Sequence, residues 1–378
     1  MRTAIQRLLA GEAGAPELDA FLDRHQFPLQ EGTTTTFVYR GDADSVRLRH
    51  FVYGLPSSQP FERLPDTDFW YLVFELPGRA RIEYKFEVRS NGRTEWLLDP
   101  LNPLQARDPF GANSVCQTMG YEAPLWAEPD EHARPGEIVP HDVDSAVFGE
   151  PRAWEVYLPP QLRSDRSYPL LLVHDGADFV RYSSLKSVLD NLIYRLEIPP
   201  LVVALHRPSN RLVEYAGDAD HARHLQLEVV PGLRERFPID PSATATGLLG
   251  ASFGAVAALA SAWHAPGLFG RLLLLSGSFA FTDVGEEHAR GPTFDPVVRF
   301  MNAFREAPGH PADRIFVACG IYESLIYENR SLVPLLQASG MDVRYVEARD
   351  GHNWENWRDR LREGLSWLFP GPLWMVYE

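Results

Sequence analysis

Gly250-Ala251-Ser252-Phe253-Gly254 reads G-x-S-x-G, between an apolar strand-like run at 243–249 and a small-residue helical run at 255–264. A sharp strand-to-helix turn lifts the central serine out of the backbone. Its flanks are glycine because a larger side chain collides inside so tight a bend. The bare pattern carries little, and the matching context makes it informative. A serine hydroxyl is a poor nucleophile at neutral pH, so it needs a base in reach and a third group to orient that base. Among twelve histidines, His352 in Asp350-Gly351-His352-Asn353-Trp354 stands where a base is expected, between the last strand pattern and the last helix pattern. Glu323, in Gly320-Ile321-Tyr322-Glu323-Ser324, is the expected acid, with Asp283 and Asp350 as alternatives. The order serine, acid, histidine suits acyl transfer on a parallel-sheet scaffold. Charge developing on the attacked oxygen calls for backbone N–H donors. Phe253 supplies one, and Gly176 or Ala177 in His174-Asp175-Gly176-Ala177-Asp178 the other. His174 and Asp175 are expected to hold that loop's shape.

Other residues near these segments invite a reading. Arg207 and Arg211 follow a strand pattern ending at Leu205, at the rim where ligands of such sheets bind; they either contact an anionic or aromatic substrate or pair with Glu214 or Asp218. Trp354 and Trp357 flank the base and either wall a substrate pocket or pack the last helix. His221 and His224, three apart on a helix, have a spacing that metal sites use. No third ligand accompanies them in sequence, so a solvated helical face is expected, and Asp218 and Asp220 make no recognisable calcium loop. No metal and no cofactor is called for.

The 378 residues favour two domains. A net charge of −15, from 36 basic and 51 acidic residues, argues against nucleic acid or an anionic membrane as a general partner. Only Lys85 and Lys186 are lysines; the other basic side chains are arginines, which suit planar anions. Cys116 and Cys319 are far apart and suggest neither a disulfide framework nor a metal site. No signal-peptide core or membrane-length apolar run is found, so a cytoplasmic protein is expected.

Along the chain, 1–30 reads as a helical segment broken near 11–16. Residues 31–120 hold short alternating strands: 33–39, 46–52, 69–76, 81–88 and 94–98, with Asn91-Gly92 as a hairpin turn. That spacing predicts an immunoglobulin-like β-sandwich. Residues 121–150, rich in Pro, Gly, Glu and Asp, read as a linker with an edge strand. From 151 to 378 strands and helices alternate. The strands at 169–173, 201–205, 271–275 and 315–319 are nearly continuous apolar runs, which means a sheet covered on both faces. A doubly wound, mostly parallel α/β sheet is the expected fold.

These motifs carry a resemblance. Residues 151–378 resemble the esterase D-type family of α/β-hydrolases, through Val173-His174-Asp175-Gly176-Ala177-Asp178, the Ser252 pentapeptide, Arg211-Leu212-Val213-Glu214-Tyr215, Gly320-Ile321-Tyr322-Glu323-Ser324-Leu325 and Gly351-His352-Asn353-Trp354-Glu355-Asn356-Trp357. Related feruloyl esterases carry an acid and a histidine where Glu323 and His352 stand. The N-terminal half is similar to the β-sandwich domain of enterochelin esterases, through Phe37-Val38-Tyr39-Arg40-Gly41-Asp42-Ala43, Phe69-Trp70-Tyr71 and Asp99-Pro100-Leu101-Asn102-Pro103. The pairing implies a cytoplasmic enzyme that hydrolyses serine-lactone esters of a catecholate siderophore so that iron is released. The acidic net charge is a departure, because a ferric catecholate is triply negative. Two alternatives stand beside this reading. One is a general carboxylesterase or feruloyl-type esterase. The other is a non-catalytic glycan-binding or scaffold protein, which an exposed row of Trp70, Tyr71 and Trp96 would favour. The partner is a small-molecule ester; the sequence does not fix its acyl and alcohol groups or the oligomeric state.

Overall fold

The leucine- and valine-rich runs after residue 150 bury both faces of each strand. In Leu170–Val173, Leu170 and Leu172 enter one core while Leu171 and Val173 enter another, and the same alternation recurs in Val202–His206 and Arg271–Leu275. A strand with no polar face is stable only when helices cover both sides. In this computed structural model, which describes residues 3–11, 14–282 and 292–372, they do.

The chain forms two compact units. One comprises 1–123 with the short segments 321–323 and 348–352; the other comprises 124–320, 324–347 and 353–378.

The larger unit is built on an eight-stranded sheet of β1 (Glu137–Pro140), β2 (Trp154–Leu158), β3 (Leu170–Val173), β4 (Val202–His206), β5 (Thr246–Ala251), β6 (Arg271–Leu275), β7 (Arg314–Gly320) and β8 (Asp342–Ala348). Their spatial order is β1-β2-β4-β3-β5-β6-β7-β8. Strands β1, β2 and β4 pair antiparallel; β4, β3, β5, β6 and β7 pair parallel. The sheet is therefore mixed, with its antiparallel strands at one edge. The alanine-rich helix Phe253–His264 packs on one face, and Leu185–Tyr194 and Trp354–Leu368 on the other.

Three elements differ from the sequence expectation. Residues 243–245 form a 3-10 turn rather than strand, because Asp240 accepts from Ser242 N and turns the chain before β5. The helical run at 219–236 contains a π turn at Leu225–Val229, just before Pro231, whose missing N–H cannot continue the α ladder. The helix Asp295–Glu306 has no counterpart in the sequence expectation, although Val297, Phe300, Met301 and Phe304 give it a buried stripe.

In the smaller unit, helices Ala4–Leu9 and Ala15–Arg24 lay Ile5, Leu18 and Phe21 on Phe27, Val38 and Phe69. A four-stranded antiparallel sheet carries Thr34–Arg40 and Phe69–Glu75, and a six-stranded one carries Ser45–His50, Arg81–Ser90, Arg93–Leu97 and Gly111–Gln117. Phe37 and Trp70 of the first share a core with Val46, Leu48, Ile82, Tyr84 and Phe86 of the second. Asn91 and Gly92 both have positive φ, 51° and 75°, the turn that matches the twist of a two-residue hairpin.

Candidate active site

Ser252 follows the last residue of β5 and caps the helix Phe253–His264 with φ 58° and ψ −122°. That conformation is unfavourable for a non-glycine residue and persists only where the surroundings enforce it. Here they do: Ser252 N donates to Leu275 O at 2.9 Å, and Ser278 N donates to Ser252 O at 3.2 Å. A Cβ on Gly250 would lie 2.0 Å from Gly254 O, so position 250 has no room for a side chain. The Ser252 hydroxyl lies 3.2 Å from Ser278 Oγ. Ser278, in Ser276-Gly277-Ser278 after β6, was not singled out from sequence; a small polar residue following a sheet strand gives too weak a signal.

The amide of Phe253 opens its helix, and Gly176 and Ala177 open another, Gly176–Tyr182. First-turn N–H groups have no partner within a helix and remain for a ligand. A Cβ on Gly176 would meet Leu205 Cα at 2.5 Å, which explains the glycine. A Cβ on Gly254 would lie 3.2 Å from His174 Cβ, so the serine turn and the 174–177 loop are neighbours.

Asp175 binds the guanidinium of Arg211 with Nε contacts of 3.0 and 2.9 Å and an Nη2 contact of 2.8 Å. Burial pushes its carboxyl up against the opposing pull of Arg211. Arg211 is thus held by Asp175, rather than by Glu214 or Asp218, while Arg207 is exposed. Trp357 is buried and donates from its indole to Ser276 Oγ at 3.0 Å, so it packs the last helix. Trp354 is half-buried, its ring 5.3 Å from Phe179, 5.7 Å from Tyr182 and 4.8 Å from Trp357.

The acid and base candidates belong to the smaller unit. His352 Nδ1 lies 2.6 Å from Glu323 Oε2. A carboxylate there accepts the Nδ1 proton and leaves Nε2 with its lone pair, the tautomer a general base needs. Glu323 is buried, and the His352 side chain is 36% exposed. Asp350 accepts from Gly351 N at 2.7 Å and pairs with Arg81 Nη1 at 3.3 Å. Asp283 lies outside the described residues.

Both short segments are tied to strands and turns of their own unit. Tyr53 N donates to Tyr322 O, Arg81 N to Arg349 O, Tyr322 N to Asp350 O and Arg349 Nη1 to Gly78 O. The Arg81 side chain is fully buried.

One expectation is overturned, and a condition for the glycan-binding alternative is not met. His221 and His224 are 1% and 0% exposed, so theirs is no solvated face. His224 donates to Glu228 and receives the Trp154 indole N–H, while Asp218 merely caps the helix. Trp70, Tyr71 and Trp96 form no exposed row: Trp70 is buried with its indole on Gly41 O, Tyr71 is half-buried with its hydroxyl on Glu62, and only Trp96 is open.

The profile of the family described as "Putative esterase" matches residues 145–368, more than half of the chain. The chain belongs to this esterase family. It is 28% identical over 339 residues to the iron(III) enterobactin esterase of Escherichia coli K12, covering 82% of each chain. It superposes on the ferric enterobactin esterase of Salmonella typhimurium with a TM-score of 0.73 at 22% identity, over 89% of this chain and 93% of that one. A ferulic acid esterase aligns with a TM-score of 0.54 at 16% identity, over 62% of this chain and 98% of that one. The fold of the larger unit is thus α/β-hydrolase-like, and the chain is an esterase. Among the described residues, no helix is long and apolar enough to cross a membrane.

Proposed function

We propose that this esterase works through an acyl-enzyme formed on Ser252, and that its substrates are ester bonds of a ferric catecholate siderophore. The observation that carries the serine mechanism is the strained φ and ψ of Ser252 at the mouth of a helix. The Ser252 hydroxyl attacks the ester carbonyl and its proton passes to His352 Nε2. Negative charge on the carbonyl oxygen is met by the Phe253 amide and by Gly176 or Ala177. Collapse expels the alcohol, which takes the proton from His352. Water, activated by the same imidazole, then releases the acid. Glu323 holds the imidazole's tautomer throughout and stabilises the imidazolium. No cofactor enters these steps.

The substrate class rests on the enterobactin esterase likeness, which covers 89% of the chain and spans both units, whereas the ferulic acid esterase likeness covers 62%. We read the two-sheet unit as an immunoglobulin-like sandwich of the enterochelin esterase type, and place the protein in the cytoplasm, in keeping with two free cysteines.

Ser252→Ala should abolish turnover of a nitrophenyl acylate while leaving the circular dichroism spectrum unchanged. Retained turnover would remove Ser252 from the mechanism. Comparing wild-type kcat/KM on a ferric trilactone siderophore with that on a feruloyl ester tests the substrate class. Preference for the feruloyl ester would favour the general esterase reading.

A further inference from the structure

Beneath the loop that carries Gly176 lie three buried side chains, each with one polar atom that has no hydrogen-bond partner: His206 Nε2, Glu214 Oε2 and His221 Nδ1. They are 1%, 3% and 1% exposed. Each residue offers one ligand atom within 4.8 Å of the ligand atoms of the other two, and His206 Nε2 is 3.9 Å from Glu214 Oε2. A buried polar atom left unpaired is costly, so three gathered together mark a place for something they all bind.

The other atoms of these side chains are accounted for, and their bonds orient the free ones. His174 Nδ1 donates to Leu249 O at 3.2 Å, which leaves His174 Nε2 as an acceptor. His221 Nε2, 3.0 Å away, must therefore carry the proton, and His221 Nδ1 presents a bare lone pair. His206 Nδ1 lies 2.8 Å from the Tyr215 oxygen, and in the tautomer that donates Nδ1–H to it Nε2 keeps its lone pair for a ligand. Glu214 Oε1 accepts from Ser209 N and Asn210 N and faces Arg152, leaving Oε2 over. Arg152, the nearby cation, is also paired with Glu150 at 3.0 Å.

We propose that His206, Glu214 and His221 bind one divalent first-row transition metal ion, zinc foremost. Two imidazole nitrogens and one carboxylate oxygen are a donor set zinc uses, with a fourth position for water. Tetrahedral zinc ligands stand about 3.4 Å apart, so the donors close on an ion by movements below about 1 Å each. The groups behind the ligands are in place: His174 fixes the tautomer of His221, and the Tyr215 oxygen lies against His206 Nδ1. The ion is structural. It ties the end of β4, the turn Arg211–Glu214 and the helix Ala219–His224 together, and through His221 and His174 it braces the loop leading to Gly176. This departs from the expectation of no metal, because His221 gathers with His206 of β4 and with Glu214 of a short helical turn rather than with His224, and no local spacing in the sequence marks that grouping.

The test uses the full chain without a histidine tag. After incubation with zinc chloride and desalting, elemental analysis should find close to one zinc per chain, and the chelated protein should melt lower and recover when zinc chloride is restored. Cobalt chloride added to the chelated protein should give the visible ligand-field absorption of a low-symmetry site. The near-isosteric Glu214→Gln should lose at least tenfold in zinc affinity. A wild-type chain that retains no zinc and shows no zinc-dependent melting overturns the proposal and leaves a trapped water as the occupant. Unchanged zinc affinity in Glu214→Gln overturns it too. Neither readout depends on esterase activity, so the outcome is independent of the Ser252 mechanism.

Discussion

At the scale of single residues, the question is which carboxylate serves the base. The sequence left Glu323, Asp350 and Asp283 in contention. The 2.6 Å contact to His352 Nδ1 belongs to Glu323, while Asp350 is engaged by Arg81 and Gly351 N. Glu323→Gln should lower kcat on an activated ester by roughly 10²–10⁴-fold, because an amide in that place can stabilise the wrong imidazole tautomer. Glu323→Asp, with a shorter arm, should fall between wild type and Glu323→Gln. Steady-state kinetics on the three proteins checks both, and an unimpaired Glu323→Gln would return the acid's role to another carboxylate. The turn that carries Ser252 and the loops that carry the candidates Glu323 and His352 were legible because strand-to-helix turns and post-strand loops mark their own positions. Ser278 and Glu214 were not: each is an ordinary residue whose partners arrive from elsewhere in the chain.

Elements explain what period alone could and could not deliver. The buried strands were readable as apolar runs, and the Asn91-Gly92 hairpin from its turn chemistry. The π turn at Leu225–Val229 and the short strands at Gln105–Asp108 and Ser58–Pro60 were not, since they follow from tertiary hydrogen bonding rather than a local pattern. One strand residue matters beyond its strand. Arg81 opens Arg81–Ser90, yet its buried guanidinium pairs with both Glu83 and Asp350. Removing one partner of such a group leaves a charge unpaired in the interior, at about 3–5 kcal/mol. Arg81→Met should therefore depress the thermal midpoint strongly, and adding Asp350→Asn should restore part of the loss. Strictly additive losses in the double variant would mean the pair is not coupled.

For the molecule as a whole, acidity cuts two ways. Burial pushes the Asp99 carboxyl up to about 6, against the donations from Tyr84 and Leu101 N that pull it down. A carboxyl that binds its proton more tightly when folded favours the folded state at low pH, and that contribution fades as pH rises from about 4 through 6. Relative to wild type, Asp99→Asn should gain stability across that window, by about 3 kcal/mol at most. Urea unfolding of both proteins at pH 4.5 and pH 7 measures it, and a constant difference would refute the assignment. The net charge of −15 acts at longer range, where it should slow encounter with the proposed anionic substrate at low salt and leave binding to local arginines. The division of the chain also bears on inheritance. The family match begins at residue 145, whereas Glu323 and His352 share a compact unit with residues 1–123. A gene fragment cut at the family boundary would keep every candidate catalytic side chain and lose Tyr53, Gly78 and Arg81, which hold Tyr322, Arg349 and Asp350 in the two short segments that carry Glu323 and His352. The leading third of this chain is thus not an accessory that recombination can exchange freely; it travels with the esterase or the segments bearing the candidate acid and base lose their footing.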